Sequence, residues 1–345
     1  MSRPSERSYT IGLATFLRPA KCSVSSAPIS PMSKTASDPA AKEPNTPFPN
    51  RVRAYLQLMR FPAVFTALAD ILLGFLLTHE SLSPLRDLAA LLGASSGLYL
   101  AGMVFNDLFD RDVDAQERPG RPIPSGRISP RAAGRLASAL IILGLVSAAF
   151  VRFEALEVAL LLVALILAYD GYLKQTPAGP VAMGGCRFLN VMLGASAGAG
   201  GAWASPQLAV ALAMGVYVAG VTWFARQEAQ RSARGQLAAA AATCHAGIAG
   251  LAAIVVTMSE FPAINRWLAL VALGVVTIWI EIRLVSAIRE PAPRNVQSGV
   301  KRMLLAIVVL DATMIFCKNG DPILALGVAA LVVPAAILGR WIFIT

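Results

Sequence analysis

From residue 49 onward the chain is a succession of apolar runs separated by short polar breaks. Ten such segments can be delimited, at about 57–78, 85–108, 132–151, 155–173, 180–200, 206–226, 236–258, 264–288, 300–318 and 321–343. Each is long enough, or nearly so, to cross a hydrocarbon core of about 30 Å as a helix rising 1.5 Å per residue. Nothing alternates apolar and polar positions with a period of two over ten-residue segments, so spanning strands are not expected. Segment 300–318 is short and could lie at the interface instead, leaving nine or ten crossings. The pattern predicts an all-α polytopic membrane helical bundle that occupies residues 49–345 as one domain.

Residues 1–48 break the pattern. They are rich in Ser, Pro, Ala and Thr, end in KEPNTPFPN and hold no long apolar run, a composition that predicts disorder. Arg3, Arg7, Arg18 and Lys21 against the single acid Glu6 also resemble a targeting segment. The plainer readings are a floppy tail or an overextended start, with translation beginning at Met32.

Composition agrees with the pattern. Of 345 residues 56% are hydrophobic and only 14% charged, with a mean hydropathy of +0.62, whereas soluble domains are roughly a quarter charged. The net charge of +10 does not point to nucleic acid, because the basic residues sit in short loops between apolar runs. Placing the N-terminus inside collects Arg111, Arg118, Arg121, Arg127, Arg131, Lys174, Arg226, Arg231, Arg234, Arg289, Arg294, Lys301 and Arg302 on one face. The other face receives only Arg86, Arg152, Arg266 and Lys318, so the first set is expected in the cytoplasm, with the cell inner membrane as the site of residence. Cys22, Cys186, Cys244 and Cys317 lie far apart without CxxC spacing, which suggests neither a disulfide framework nor a zinc site. His79 and His245 read as packing residues. Small residues at membrane depth, in GASSG (Gly93 to Gly97) and LGASAGAGGAWA (Leu193 to Ala204), read first as close helix contacts and second as room for a long apolar ligand.

The stretch NDLFDRDVDAQERPGRPIPSG, Asn106 to Gly126, changes the picture. If the second helix continues through it, Asp107, Asp110 and Asp114 fall at i, i+3 and i+7 on one face, with Asn106 beside Asp110 and with Asp112 pointing elsewhere. Stacked carboxylates repel unless a cation offsets them, and a hard cation such as Mg²⁺ suits oxygen ligands. Arg118, Arg121 and Arg127 follow in a proline-stiffened loop and suit phosphate oxygens. Together these residues describe a magnesium diphosphate site at the membrane surface. The alternative is a solvated loop whose acids pair with its own arginines.

Asn106-Asp107-x-x-Asp110-x-x-x-Asp114, followed by Arg121-Pro122-Ile123-Pro124-Ser125-Gly126, resembles the first aspartate motif of the UbiA superfamily of intramembrane prenyltransferases. The resemblance implies a helical bundle around a lipid-open cavity. In it Mg²⁺ on Asn106, Asp107, Asp110 and Asp114 binds an isoprenoid diphosphate, whose ionisation gives an allylic cation that alkylates an acceptor. Tyr169-x-x-x-Leu173-Lys174 is similar to the family's Y-x-x-x-L-K, in which Lys174 would reach a phosphate. The second aspartate-rich motif of the family should follow the sixth span. There this chain reads TWFARQEAQRSARG, Thr222 to Gly235, with Glu228 as its only acid. Arg226 and Arg231 could neutralise diphosphate in place of a second metal, leaving Glu228 as an Arg partner or an acceptor base. That stretch and GGCRFLN, Gly184 to Asn190, look most like the EboC-type subgroup.

Arg187 and Asn190 stand at i and i+3 in the fifth span and are expected to face the ligand, whereas Asp70, Glu281 and Asp311 read as structural polar groups. Tyr99, Tyr169, Tyr172, Tyr217 and Trp223 could lend π faces to a carbocation, although an interfacial belt explains most of them equally well. The expected reaction is prenyl transfer to a lipid or small-molecule acceptor, with no obligate protein partner evident. The competing readings are a polyprenyl-phosphate glycosyl or phosphoribosyl transferase and a non-catalytic lipid-diphosphate carrier or transporter.

Overall fold

The structure is a computed structural model, described here for residues 50–226, 232–258 and 261–342. The tail 1–48 therefore lies outside the described residues. The helices are α1 (Asn50–Leu58), α2 (Val64–Thr78), α3 (Leu85–Phe109), α4 (Arg111–Glu117), α5 (Pro130–Ala149), α6 (Phe153–Gly171) and α7 (Gly179–Ala195). They continue with α8 (Gln207–Ala225), α9 (Arg234–Thr257), α10 (Ala263–Arg289), α11 (Pro293–Asn319), α12 (Pro322–Ala329) and α13 (Val332–Ile342). Among the described residues there is no strand.

Every predicted apolar segment is helical, with two differences. The segment at 300–318 is not short: its helix begins seven residues earlier, at Pro293, and runs for 27 residues. Arg294, Gln297, Lys301 and Arg302 hide that first part from a hydropathy reading. The last segment is divided into α12 and α13 at Ala330 and Leu331.

Among the described residues seven stretches are long and apolar enough to cross a membrane: Phe61–Thr78, Leu85–Phe109, Pro130–Ala149, Gln207–Ala225, Arg234–Thr257, Ala263–Arg289 and Pro322–Gly339. The remaining long helices fall short for identifiable reasons. α6 carries Glu154, Glu157 and Asp170, α7 has only 17 residues, and α11 carries Asp311 between Arg302 and Lys318. The outer faces of α5, α10 and α12 expose Ile142, Leu143, Val275, Ile278 and Leu326, the surface expected where lipid rather than protein is the neighbour. The chain is an integral membrane protein.

Inside the bundle α2 packs on α3, α7 and α11, while α8 packs on α7, α9 and α11. Small residues set the closest approaches. A Cβ on Gly194 of α7 would stand 2.5 Å from the Ile71 carbonyl oxygen of α2, and one on Gly97 of α3 would stand 2.8 Å from the Leu140 carbonyl oxygen of α5. The packing reading of the small-residue stretches accounts for both positions, because backbone cannot yield as a side-chain tip can. Gly194→Ala is expected to destabilise the bundle by about 1–3 kcal/mol, the usual cost of overpacking. A thermal scan in detergent against Gly274→Ala, where an added Cβ meets nothing within 4 Å, checks this.

Loop contacts show which ends of the helices lie together. At one end Lys174 meets Asp110, Arg226 donates to the Gln175 carbonyl at 3.1 Å and Arg234 donates to the Arg289 carbonyl at 2.9 Å. At the other, Arg152 donates to the Gly198 carbonyl at 2.7 Å and Asn319 reaches the His79 carbonyl at 3.4 Å. The loops richest in arginine and lysine thus share one end with the aspartate cluster.

Candidate functional site

The site is assembled where α3 ends. The backbone N–H groups of Asp110, Asp114 and Arg118 donate to the carbonyls of Asn106, Asp110 and Asp114 at 3.0, 2.8 and 2.8 Å. Helical winding therefore runs on into α4, although Asp110, with ψ at 1°, leaves α geometry and forms the joint. The expected common face exists: Asp107 and Asp114 are buried and Asp110 is half-buried, while Asp112 is 86% exposed beside Arg111. Glu117 is exposed as well.

Each inward carboxylate has a cation. The Arg121 Nη1 group donates to Asp114 Oδ2 at 2.5 Å and to Asp107 Oδ1 at 3.3 Å, so a single nitrogen bridges both acids. The Arg60 Nη2 group donates to Asp107 Oδ1 at 3.1 Å and to Asn106 Oδ1 at 3.2 Å. Lys174 Nζ, in the short turn after α6, lies 2.6 Å from Asp110 Oδ1. Asn106 Nδ2 donates in turn to Asp170 Oδ1 at 3.1 Å, a buried carboxylate on the last turn of α6.

Local sequence explains these placements. Arg60 has φ 45° and ψ 44°, a left-handed conformation at the corner between α1 and the turn that leads into α2. Such a conformation is uncommon for a residue with a side chain, and the corner turns the arginine back toward α3. The Arg121 loop is held from below by Ile123 and Ile128, which pack with Ala54, Leu58, Val104, Ala133 and Ala137. Arg127 straps the loop, donating to Ser125 Oγ, Gln57 Oε1 and the Gly120 carbonyl at 3.0, 2.9 and 2.6 Å. It therefore has a structural occupation where a phosphate contact is expected from sequence. Ser129 caps α5 by accepting from the Ala132 N–H at 3.3 Å.

The other expected residues are distributed unevenly. Arg118 is exposed, with no side-chain hydrogen bond among the described residues. Arg226 caps α8 and reaches the turn that holds Lys174. Glu228 and Arg231, with Gln227 and Gln230, lie outside the described residues. Arg187 pairs with Asp70 and also donates to the Thr66 carbonyl and hydroxyl at 3.0 and 3.2 Å. Asn190 donates to Asp70 Oδ2 at 2.8 Å and to the Ala67 carbonyl at 2.9 Å, and accepts from Ser95 Oγ at 2.7 Å. In this conformation both are interhelical ties, so a ligand there would have to compete with Asp70.

Arg60 and Asp170 are the two site residues that sequence reasoning did not single out. An arginine inside the first apolar segment, and an aspartate near the end of the fourth, were the available signals.

The donor chemistry fits a hard divalent cation. Asn106, Asp107, Asp110 and Asp114 offer only oxygen ligands of the type Mg²⁺ prefers. With Asp107, Asp110, Asp114 and Asp170 ionised against Arg60, Arg121 and Lys174, the cluster retains net negative charge. As they stand, no three His, Cys, Asp or Glu side chains among the described residues converge closely enough to ligate one ion. Arg121 Nη1 already occupies the bridging position between Asp107 and Asp114. The buried Lys174 ammonium, although beside Asp110, makes no hydrogen bond of good geometry among the described residues, which leaves donors for an anionic oxygen.

A polytopic helical bundle with carboxylates and cations clustered at one membrane end marks the chain as an intramembrane protein with a polar site at the mouth of the bundle. The family model "UbiA prenyltransferase family" matches residues 67–308, and the chain belongs to that family. Digeranylgeranylglyceryl phosphate synthase of Methanothrix thermoacetophila is 39% identical over 129 residues, 37% of this chain and 48% of that protein. The protein of the same name from Methanopyrus kandleri is 36% identical over 126 residues, 36% of this chain and 46% of its own length. The matched stretch thus spans about half the length of these curated relatives. Among solved structures, an apo UbiA homolog from Aeropyrum pernix K1 superposes with a TM-score of 0.59 at 24% identity, covering 73% of this chain and 96% of that one. A UbiA homolog from Archaeoglobus fulgidus bound to GPP and Mg²⁺ superposes with a TM-score of 0.58 at 18% identity, covering 80% and 99%. At these identities the likeness speaks for the fold alone.

Proposed function

We propose that the protein transfers a prenyl group from an isoprenoid diphosphate to an acceptor within the membrane, with Mg²⁺ held by Asn106, Asp107, Asp110 and Asp114. The observation that carries this reading is the single guanidinium nitrogen of Arg121 bridging Asp114 and Asp107. A cationic position shared by two buried carboxylates is one that a metal ion could take over, freeing the arginine for a phosphate oxygen. Mg²⁺ when bound would draw charge from the departing diphosphate. Lys174, Arg60, Arg121 and Arg118 would meet its oxygens by charge-assisted hydrogen bonds, and the apolar helices would keep water from the allylic cation. Asp170, through Asn106, would position that amide. Arg226, Glu228 and Arg231 belong to the same proposal as the counterpart of a second metal site, and Arg187 and Asn190 as deeper ligand contacts.

The basic loops gathered at the site's end support a cytoplasmic orientation of the active-site loops in the cell inner membrane. We include α6, α7 and α11 with the seven apolar stretches as crossings, which gives ten. The relatives described above carry the name digeranylgeranylglyceryl phosphate synthase rather than an EboC-type name. The subgroup reading therefore rests on Thr222 to Gly235 and Gly184 to Asn190 alone, and a glyceryl phosphate lipid joins the acceptors to be tried.

The test is pyrophosphate release by purified protein with Mg²⁺, isoprenoid diphosphates of several chain lengths, and glyceryl phosphate lipids or membrane extract as acceptor. Release with at least one donor, together with label in a new lipid, is expected. Absence of release with every donor would leave a carrier as the better reading.

A further inference from the structure

About two to three helical turns inside the bundle from Arg60, a second polar cluster joins four helices. Asp70 of α2 and Asp311 of α11 are both fully buried. Asp70 Oδ2 is well served, by Arg187 of α7 and by Asn190 Nδ2 at 2.8 Å, and Asn190 is fixed by Ser95 of α3. The rest of the cluster is not: Asp70 Oδ1 and both oxygens of Asp311 are buried without a hydrogen-bond partner among the described residues. The two carboxyl groups stand on helices that pack against each other, α2 and α11, near enough to act on one another electrostatically. Among the described residues Arg187 and Tyr99 of α3 are the other titratable groups that act electrostatically on or are acted on by Asp70.

As two carboxylates the pair cannot hydrogen-bond, since neither oxygen carries a proton to donate. One guanidinium against two carboxylates also leaves a negative charge with no partner, a costly arrangement away from water. One proton removes both faults. It converts Asp311 to a neutral carboxyl whose O–H can donate to Asp70 Oδ1, and it leaves a single Arg187–Asp70 ion pair. The proton belongs on Asp311 because Asp70 already accepts from a guanidinium and an amide, both of which favour its charged form.

We infer that Asp70 and Asp311 form an intramembrane proton-binding site that holds one proton on Asp311, in hydrogen-bonding contact with Asp70. The site is separate from the aspartate motif and stands whether or not the protein transfers prenyl groups. Its occupancy fixes the charge of the network that orients Arg187 and Asn190, and so links α2, α7 and α11 through one carboxyl–carboxylate hydrogen bond and one ion pair, with α3 joined through Ser95 and Asn190. Loss of the proton would leave an unpaired carboxylate among apolar side chains.

The experiment is infrared spectroscopy of the purified full-length protein in lipid nanodiscs, comparing wild type with Asp311→Asn in light and heavy water. The wild type is expected to show the carbonyl stretch of a protonated carboxyl group that is absent from the variant and unchanged between mildly acidic and mildly alkaline buffer. Asn is a neutral isostere of the protonated acid and can donate to Asp70, so the variant is expected to fold with an unfolding midpoint no lower than that of wild type. Identical carbonyl regions in the two proteins would overturn the inference. So would failure of Asp311→Asn to fold, because it would show that the charge on Asp311 is required.

Discussion

Asp107→Asn is expected to lower pyrophosphate release by about 100-fold or more, since even an indirect support of a metal site costs 10–100-fold when removed, while the protein remains monodisperse in detergent. Asp107 is the carboxylate most heavily used by the site. It is buried, it accepts from Arg60 and Arg121, and it follows the Asn106 that is tied to Asp170. Asparagine keeps its shape and one acceptor but gives up the charge, so the effect should fall on cation binding rather than on packing. Asp112→Asn is the control and should leave release unchanged, because Asp112 stands 86% exposed outside the cluster. Parallel assays of pyrophosphate against Mg²⁺ concentration check both outcomes. The Asp107 variant should also require more metal for its residual activity.

Arg121→Ala should cost a similar factor of about 100-fold, the usual loss when a preorganised donor to developing charge is removed, but its second consequence is different. Arg121 neutralises Asp107 and Asp114 together. Without it two buried carboxylates face each other with only Arg60 nearby, and like charges so placed oppose folding. The variant should therefore melt earlier than wild type in chelator and recover part of the difference as Mg²⁺ is added, because a ligand that binds the folded state stabilises it by mass action. Wild type should show a smaller shift, since there the ion must displace Arg121 from its bridge. Differential scanning fluorimetry across a Mg²⁺ series reads this directly. Equal shifts in the two proteins would mean that Arg121 and the ion do not share a position.

The sequence made some parts of this account legible and hid others for physical reasons. The bundle could be read because backbone in hydrocarbon has to satisfy its own hydrogen bonds, which leaves long apolar runs as the visible sign of helices. The same rule failed at α11, where Arg294, Gln297, Lys301 and Arg302 form a polar first part of a helix that continues unbroken to Asn319. The common face of Asp107, Asp110 and Asp114 followed from helical spacing and survives the joint at Asp110. What spacing could not supply were partners from distant segments. Arg60 comes to Asp107 from a left-handed corner 47 residues away, and Asp170 comes to Asn106 from 64 residues away. Arg187 and Asn190 were recognisable as polar groups at depth, but their partners Asp70 and Ser95, on α2 and α3, depend on which helices pack together.

In the function proposed above, the aspartate face and its three cations form one magnesium-dependent site for an isoprenoid diphosphate. Equilibrium binding of a labelled isoprenoid diphosphate to the purified protein, with Mg²⁺ and then with chelator, tests it most directly. Saturable binding is expected, lost in chelator and in Asp107→Asn and kept in Asp112→Asn. Binding of equal strength with and without the metal, or unchanged by Asp107→Asn, would contradict it.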